Sequence, residues 1–311
     1  MKVLVHIDDA EQWRDALAER LPQAEVITAA APPEQRREAD YLAVWKPPGD
    51  LLREPVALKG IVNLGAGVDA LLGNPGLPAG VPIVKLRDAG MAELIGDYVR
   101  YGILHFQRDF DRYRRQQARR EWREHAVMDK ADWPVGVLGL GAIGAKVAAM
   151  VAADGFPVHG WSRTPKSLDG ITCHHGDDGL EALLGQVRSL VLLLPDTRAT
   201  RQIIDAAALA RLPEGASLIN PGRGTLIDEA ALLEALGNGE GEGRLRGALL
   251  DAFPEEPLPA DSPLWSHPRV WVTPHMAGPT PLGAALDQVA EALRAFEAGE
   301  AQDTVDPDAG Y

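Results

Sequence analysis

The chain has 311 residues, 46% apolar and 24% charged, which predicts two domains and excludes a disordered chain. Its 31 Lys and Arg against 45 Asp and Glu give a formal net charge of −14. That argues against nucleic-acid or anionic-membrane partners, so an anionic ligand must meet a local positive site.

No apolar run approaches the roughly 20 residues of a membrane span. The start, Met1 to Asp9, does not read as a signal peptide, and lone Cys173 excludes an internal disulfide. A cytoplasmic enzyme is expected.

Short apolar runs at 2–7, 25–28, 41–45, 60–64 and 81–84 predict a first series of strands. Several lack polar alternation and read as strands buried on both faces of a parallel sheet. The turn Asn63-Leu-Gly-Ala-Gly-Val-Asp-Ala70 follows one of them and reads as an anion-binding turn. A helix-like stretch, 90–123, comes next. It carries Arg100, Arg108, Arg112, Arg114, Arg115, Arg119, Arg120 and Arg123, interleaved with Asp97, Asp109, Asp111, Glu121 and Glu124. At helical spacing these pair as a solvated or subunit-contact face. A second strand series follows at 134–139, 157–161, 189–194, 216–220, 247–251 and 270–273. A last helical stretch, 280–299, fits either domain by its pattern. The glycine-rich run 237–243 is acidic and reads as a surface loop that would repel phosphate. The fold class expected is α/β, with two doubly wound parallel-sheet domains.

Val135-Gly-Val-Leu-Gly-Leu-Gly-Ala-Ile-Gly144 places Gly139, Gly141 and Gly144 as G-x-G-x-x-G between a strand and a helix. That context predicts a dinucleotide-binding turn. Gly139 serves the tight turn, Gly141 the approach to pyrophosphate, and Gly144 the helix–strand packing; the helix N-terminus offers N–H groups to phosphate. An NAD site wants a carboxylate about 20 residues further on, for the ribose hydroxyls. The next strand ends instead in Trp161-Ser-Arg-Thr-Pro-Lys166. Ser162, Arg163 and Lys166 suit a 2′-phosphate, so NADP(H) is expected over NAD(H).

Three later strands end in chemistry-bearing turns: Ile219-Asn-Pro-Gly-Arg-Gly224, Leu250-Asp-Ala-Phe-Pro-Glu-Glu-Pro257 and Val270-Trp-Val-Thr-Pro-His275. Ligands of open α/β sheets sit past the carboxyl ends of strands. Arg223 can bind and polarise a 2-oxo acid with its planar fork. His275 can protonate the carbonyl oxygen as hydride reaches carbon, and an adjacent carboxylate would orient the ring. The Gly65-Ala66-Gly67 turn can hold the substrate carboxylate with backbone N–H groups. Adjacent Cys173, His174 and His175 point different ways, so no metal is expected. No G-x-S-x-G elbow occurs, which argues against a serine hydrolase.

These segments, with Val44-Trp-Lys-Pro-Pro48, Leu64-Gly-Ala-Gly-Val-Asp69 and Ser262-Pro-Leu-Trp-Ser-His-Pro-Arg269, resemble the D-isomer-specific 2-hydroxyacid dehydrogenases over nearly the whole chain. Within that family they are most similar to NADPH-dependent reductases of glyoxylate and hydroxypyruvate. The resemblance implies catalytic Arg223, Glu256 and His275, choosing Glu256 over Glu255 because it directly precedes the proline. It also implies cofactor contacts at Ala142, Ile143, Leu194, Pro195, Pro221 and Gly222. Asp251 would meet the nicotinamide carboxamide, and Trp45, Leu64 and Ala66 the substrate. It further implies a Rossmann-type cofactor domain, 98–281, inserted into a flavodoxin-like substrate domain, 1–97 with 282–311. A cleft would separate them, and the chain would form a homodimer. Pro165 stands where relatives often carry another basic residue, which softens the NADP preference and leaves weaker NAD(H) use open. Lys46 stands where His is expected, near the substrate, and Trp122 is a candidate to reach a neighbouring subunit. Two rivals stay open: a reductase of a bulkier 2-oxo acid such as phenylpyruvate, and a non-catalytic NADP(H)-sensing protein on the same fold.

Overall fold

The structure, a computed structural model, describes residues 1–238 and 243–311, so most of the expected acidic loop 237–243 lies outside the described residues. The chain divides into two units, Met1–Gly90 with Thr280–Tyr311, and Met91–Pro279, against expected boundaries at 97/98 and 281/282.

The smaller unit begins β1 (Lys2–His6), α1 (Ala10–Arg20), β2 (Glu25–Thr28), α2 (Pro33–Arg37), β3 (Tyr41–Val44), α3 (Gly49–Arg53), β4 (Gly60–Asn63), α4 (Asp69–Leu72) and β5 (Ile83–Lys85). Its strands lie in the order β2-β1-β3-β4-β5, every pair parallel, the flavodoxin-like winding. β3 and β4 are buried at every residue, which is why their sequences show no polar alternation. Register pairs Val44 with both His6 and Asn63, so β1, β3 and β4 end in one row.

The larger unit opens with α5 (Met91–Gln107) and α6 (Phe110–Arg119). It continues through β6 (Val135–Leu138), α7 (Ala142–Ala153), β7 (Val158–Ser162), β8 (Ile171–His175), α8 (Gly176–Leu184) and β9 (Ser189–Leu192). α9 (Ala206–Arg211), β10 (Ser217–Asn220), α10 (Glu229–Leu236), β11 (Gly247–Leu250) and β12 (Val270–Val272) complete it. The sheet order is β12-β11-β10-β9-β6-β7-β8, all parallel. That is the dinucleotide-binding order with one added edge strand, and the order reverses between β6 and β9. α11 (Leu282–Ala298) then returns to the smaller unit, where Phe296 stacks on Tyr41 at 5.6 Å and Glu297 accepts the Tyr41 hydroxyl at 2.7 Å.

Two expectations need correction. The helix read as continuous over 90–123 breaks at Asp109, whose φ of 59° is left-handed. Asp tolerates that conformation better than most residues. Its carboxylate is tied to Arg246 at 2.5 Å and Arg112 at 3.2 Å, so ion pairing outweighs helix continuity. The second strand series also omitted β8. It is an edge strand paired on one side only, with a polar sequence and no buried residue, so no apolar run announces it. His174 on β8 meets His159 on β7 at 3.1 Å, and burial holds both imidazoles below the ordinary histidine range.

Candidate active site

The glycine turn after β6 has the geometry a pyrophosphate requires. Gly139 has φ of 104°, open to glycine but strained for other residues. A Cβ on Gly144 would lie 1.8 Å from the Gly139 carbonyl oxygen, so only glycine lets α7 begin this close to the strand. Gly141 caps α7, and a Cβ there would meet nothing within 4 Å. The first-turn N–H groups of α7 lie at the positive end of a twelve-residue helix, which favours an anion. At the end of β7, Ser162 donates to the Thr164 carbonyl at 2.8 Å and turns the chain. Lys166 reaches back to the Leu140 carbonyl at 2.7 Å, which brings an ammonium onto the glycine turn, while Arg163 is exposed beside it. These residues fit a dinucleotide carrying a 2′-phosphate.

The remaining expected cofactor residues divide by exposure. Gly141 and Ala142 are exposed and Ile143 and Pro195 half-buried, whereas Gly139, Gly144, Ser162, Leu194, Pro221, Gly222 and Asp251 are covered by protein. Asp251 is fully buried, and its carboxylate accepts from Thr273 Oγ1 at 2.6 Å, Met276 N at 2.9 Å and Ala277 N at 2.8 Å. Through those bonds it fastens the segment after β12.

That segment presents His275. The Asp251 and Thr273 carbonyls accept its N–H at 2.9 and 3.1 Å, and its φ is 50°. A bulky side chain in the left-handed region persists only where its surroundings fix it. Nδ1 of His275 lies 2.9 and 2.8 Å from the two Glu256 oxygens, and Glu256 is itself held by the Phe253 N–H at 3.0 Å. With Nδ1 donating to the carboxylate, Nε2 is the atom free to exchange a proton. The two side chains are 40% and 28% exposed, enough for substrate to reach them. Tyr98 on α5 closes the back of the arrangement by bonding Thr273 Oγ1 at 2.8 Å. Burial pushes the Tyr98 phenol well above its ordinary range, so it stays a neutral donor.

Arg223 follows β10, the strand beside β11. Asn220 shapes its turn, accepting from Gly222 N–H at 3.1 Å and donating to the Arg223 carbonyl at 2.9 Å. A Cβ on Gly224 would lie 2.0 Å from the Phe253 carbonyl carbon, so the Arg223 and Glu256 loops abut only because Gly224 has no side chain. The structure therefore joins Glu256 with His275 directly and seats Arg223 on the neighbouring strand end.

The smaller unit repeats the device. Asn63 ends β4, is buried, and donates to the Gly65 and Gly67 carbonyls at 2.7 and 2.9 Å. These bonds fix the shape of the turn, and successive backbone N–H groups in such a turn can bind an anion. Trp45 packs on this turn, since a Cβ on Gly65 would lie 2.2 Å from its ring; Leu64 is buried and Ala66 half-buried. Sequence reasoning missed Asn63, Asn220, Thr273 and Tyr98. An Asn closing a strand before a glycine turn is the readable signal for the first two; Tyr98 has none.

Residues 101–277 match the family profile described as D-isomer specific 2-hydroxyacid dehydrogenase, NAD binding domain. The chain is 43% identical to glyoxylate/hydroxypyruvate reductase A of Serratia proteamaculans, over 94% of this chain and 93% of that protein. It is 41% identical to the protein of that name from Photorhabdus laumondii, over 97% of each. Among solved structures it resembles an NADPH-dependent glyoxylate/hydroxypyruvate reductase of Sinorhizobium meliloti in complex with NADP and sulfate. The TM-score is 0.91 at 37% identity, covering 100% of this chain and 99% of that one. A D-isomer specific 2-hydroxyacid dehydrogenase of Xanthobacter autotrophicus Py2, in complex with NADPH and MES, gives 0.91 at 39% identity over 99% of each.

Proposed function

The chain belongs to the D-isomer specific 2-hydroxyacid dehydrogenases, and from that membership we propose that it reduces small 2-oxo acids with NADPH, glyoxylate to glycolate and hydroxypyruvate to D-glycerate. The observation that carries the reading is the Glu256–His275 pair at 2.8 Å in the same unit as a glycine turn bearing Lys166. The similar reductases named above act on these two acids, and one of them is described with NADP.

Gly139, Gly141 and Gly144, the first turn of α7, and Arg163 with Lys166 would hold the dinucleotide. When bound, NADPH is the source of hydride for a carbonyl carbon. His275 delivers a proton from Nε2 to the carbonyl oxygen and recovers it in the reverse direction. Glu256 accepts the Nδ1 hydrogen, fixes the ring and balances its positive charge. Arg223 binds the anionic substrate and polarises its carbonyl. The Gly65–Gly67 turn holds the carboxylate, with Trp45, Leu64 and Ala66 beside it. Asp251 and Tyr98 position the His275 segment, and Asp251 is also the candidate to meet the nicotinamide carboxamide.

The chain acts as a homodimer in a reducing cytoplasm. In support, Trp122 is 98% exposed on a segment held by ordered bonds, Gln116 to the Arg123 carbonyl at 2.8 Å and His125 N–H to the Tyr113 hydroxyl at 3.0 Å. Cys173 is a free thiol. Chiral analysis of the hydroxypyruvate product tests the reaction: D-glycerate is expected, and L-glycerate or no product overturns it.

A further inference from the structure

We propose that Lys46 gives the smaller unit a second anion-binding point beside the Gly65–Gly67 turn, which selects 2-oxo acids carrying a second negative group, a carboxylate or a phosphate. This deepens the 2-oxo-acid reading and rests on it.

Lys46 follows β3 directly after Trp45, and its side chain is exposed. Its Nζ lies 5.8 Å from the centre of the Trp45 ring, and the same indole packs on Gly65. The ammonium therefore stands one aromatic ring away from the turn whose carbonyls Asn63 has captured. An anion on that turn and a second anionic group on the same small molecule meet two separate positive points.

Among the described residues Lys46 is the one lysine with neither an ion pair nor a hydrogen bond. Lys2 and Lys59 pair with carboxylates, Lys130 and Lys166 donate to carbonyls, and Lys85 and Lys146 also have partners. In a chain of net charge −14, an unpaired cation is a focus for anionic ligands.

The backbone adds an independent argument. Lys46 has φ of 45°, left-handed, and it precedes Pro47, where extended backbone is preferred. Glycine takes this conformation without strain. A lysine held there against two local preferences is a site where the side chain is used. His275 shares the feature at the end of β12 in the other unit.

A monoanion such as glyoxylate needs only the turn. A 2-oxo acid with a second anionic group also engages the ammonium, through a charge-assisted bond.

The test measures kcat/KM for glyoxylate, hydroxypyruvate, oxaloacetate and 3-phosphohydroxypyruvate with NADPH, for the native chain, Lys46→Met and Lys46→Arg. The native chain is expected to reduce at least one of the two acids with a second anionic group. Lys46→Met is expected to lower the ratio of that acid to hydroxypyruvate by about tenfold or more, mainly through KM. Lys46→Arg is expected to hold the ratio within about threefold, because the charge remains. Oxaloacetate and 3-phosphohydroxypyruvate tell the carboxylate class from the phosphate class. A ratio unchanged in Lys46→Met, or reduction of the monoanions alone, overturns the inference and leaves the reductase reading intact. Failure of the native chain on all four acids overturns the reductase reading and the inference together.

Discussion

Asp251 fastens the turn from which His275 projects: its carbonyl accepts the His275 N–H at 2.9 Å while its carboxylate accepts those of Met276 and Ala277 at 2.9 and 2.8 Å. The proposed general acid is thus placed by a buried carboxylate just past the end of the neighbouring strand. Asp251→Asn turns an acceptor of three bonds into a group with one acceptor oxygen. It is expected to cost about 1.5–3 kcal/mol of stability for each charged bond lost. kcat should fall with it, because His275 no longer sits against Glu256.

Tyr98 tests the same linkage more gently. Tyr98→Phe removes only the bond to Thr273 Oγ1, a loss of about 1 kcal/mol. Lower kcat with unchanged KM for NADPH is the expected pattern, read by steady-state kinetics. A change confined to KM for NADPH would contradict a positioning role.

His275→Ala is expected to cut kcat by roughly 100-fold or more, the scale of general acid catalysis. Glu256→Gln should lower kcat by about tenfold or more, since an amide neither fixes the Nδ1 hydrogen as firmly nor balances the imidazolium. NADPH binding, followed by fluorescence titration, is expected to survive both changes.

Removing the cations near the glycine turn should change cofactor choice. Lys166→Ala combined with Arg163→Ala is expected to raise KM for NADPH by about tenfold or more while KM for NADH stays close to the native value. Equal loss with both cofactors would place these side chains in general turn stability instead.

The buried pair of Asp111 with Arg246 links stability to pH. Burial alone raises the Asp111 carboxyl, and the Arg246 guanidinium outweighs it, so the group titrates below its ordinary value. A depressed folded-state value means stability that is whole above the unfolded carboxylate range and lost as pH falls through the folded value. Thermal unfolding should show a drop in Tm on acidification that Asp111→Asn reduces, with the variant less stable by about 3 kcal/mol at neutral pH.

Both sheets were legible because strands buried on two faces show unbroken apolar runs: β3, β4, β6 and β9 are buried throughout. β8 was not, since an edge strand of Ile, Thr, Cys and two His obeys no such pattern. The break at Asp109 depends on Arg246, 137 residues away, and no local preference reveals it. Arg223 and His275 stood out as candidates because each follows a strand end, Glu256 only through the family resemblance, and the glycine turn because its three glycines have steric reasons. Asp251 stood out for its position, but its structural partners did not. Its partners lie 22–26 residues further along the chain, and only the folded register brings them to it.

The measurement that bears most directly on the central claim is the initial rate of NADPH oxidation, followed by absorbance, with glyoxylate and with hydroxypyruvate, repeated with NADH. Turnover of both acids, faster with NADPH and cut by roughly 100-fold or more in His275→Ala, is the predicted result. NADPH that binds but is oxidised by neither acid would contradict the account and leave a chain that holds its cofactor without using it.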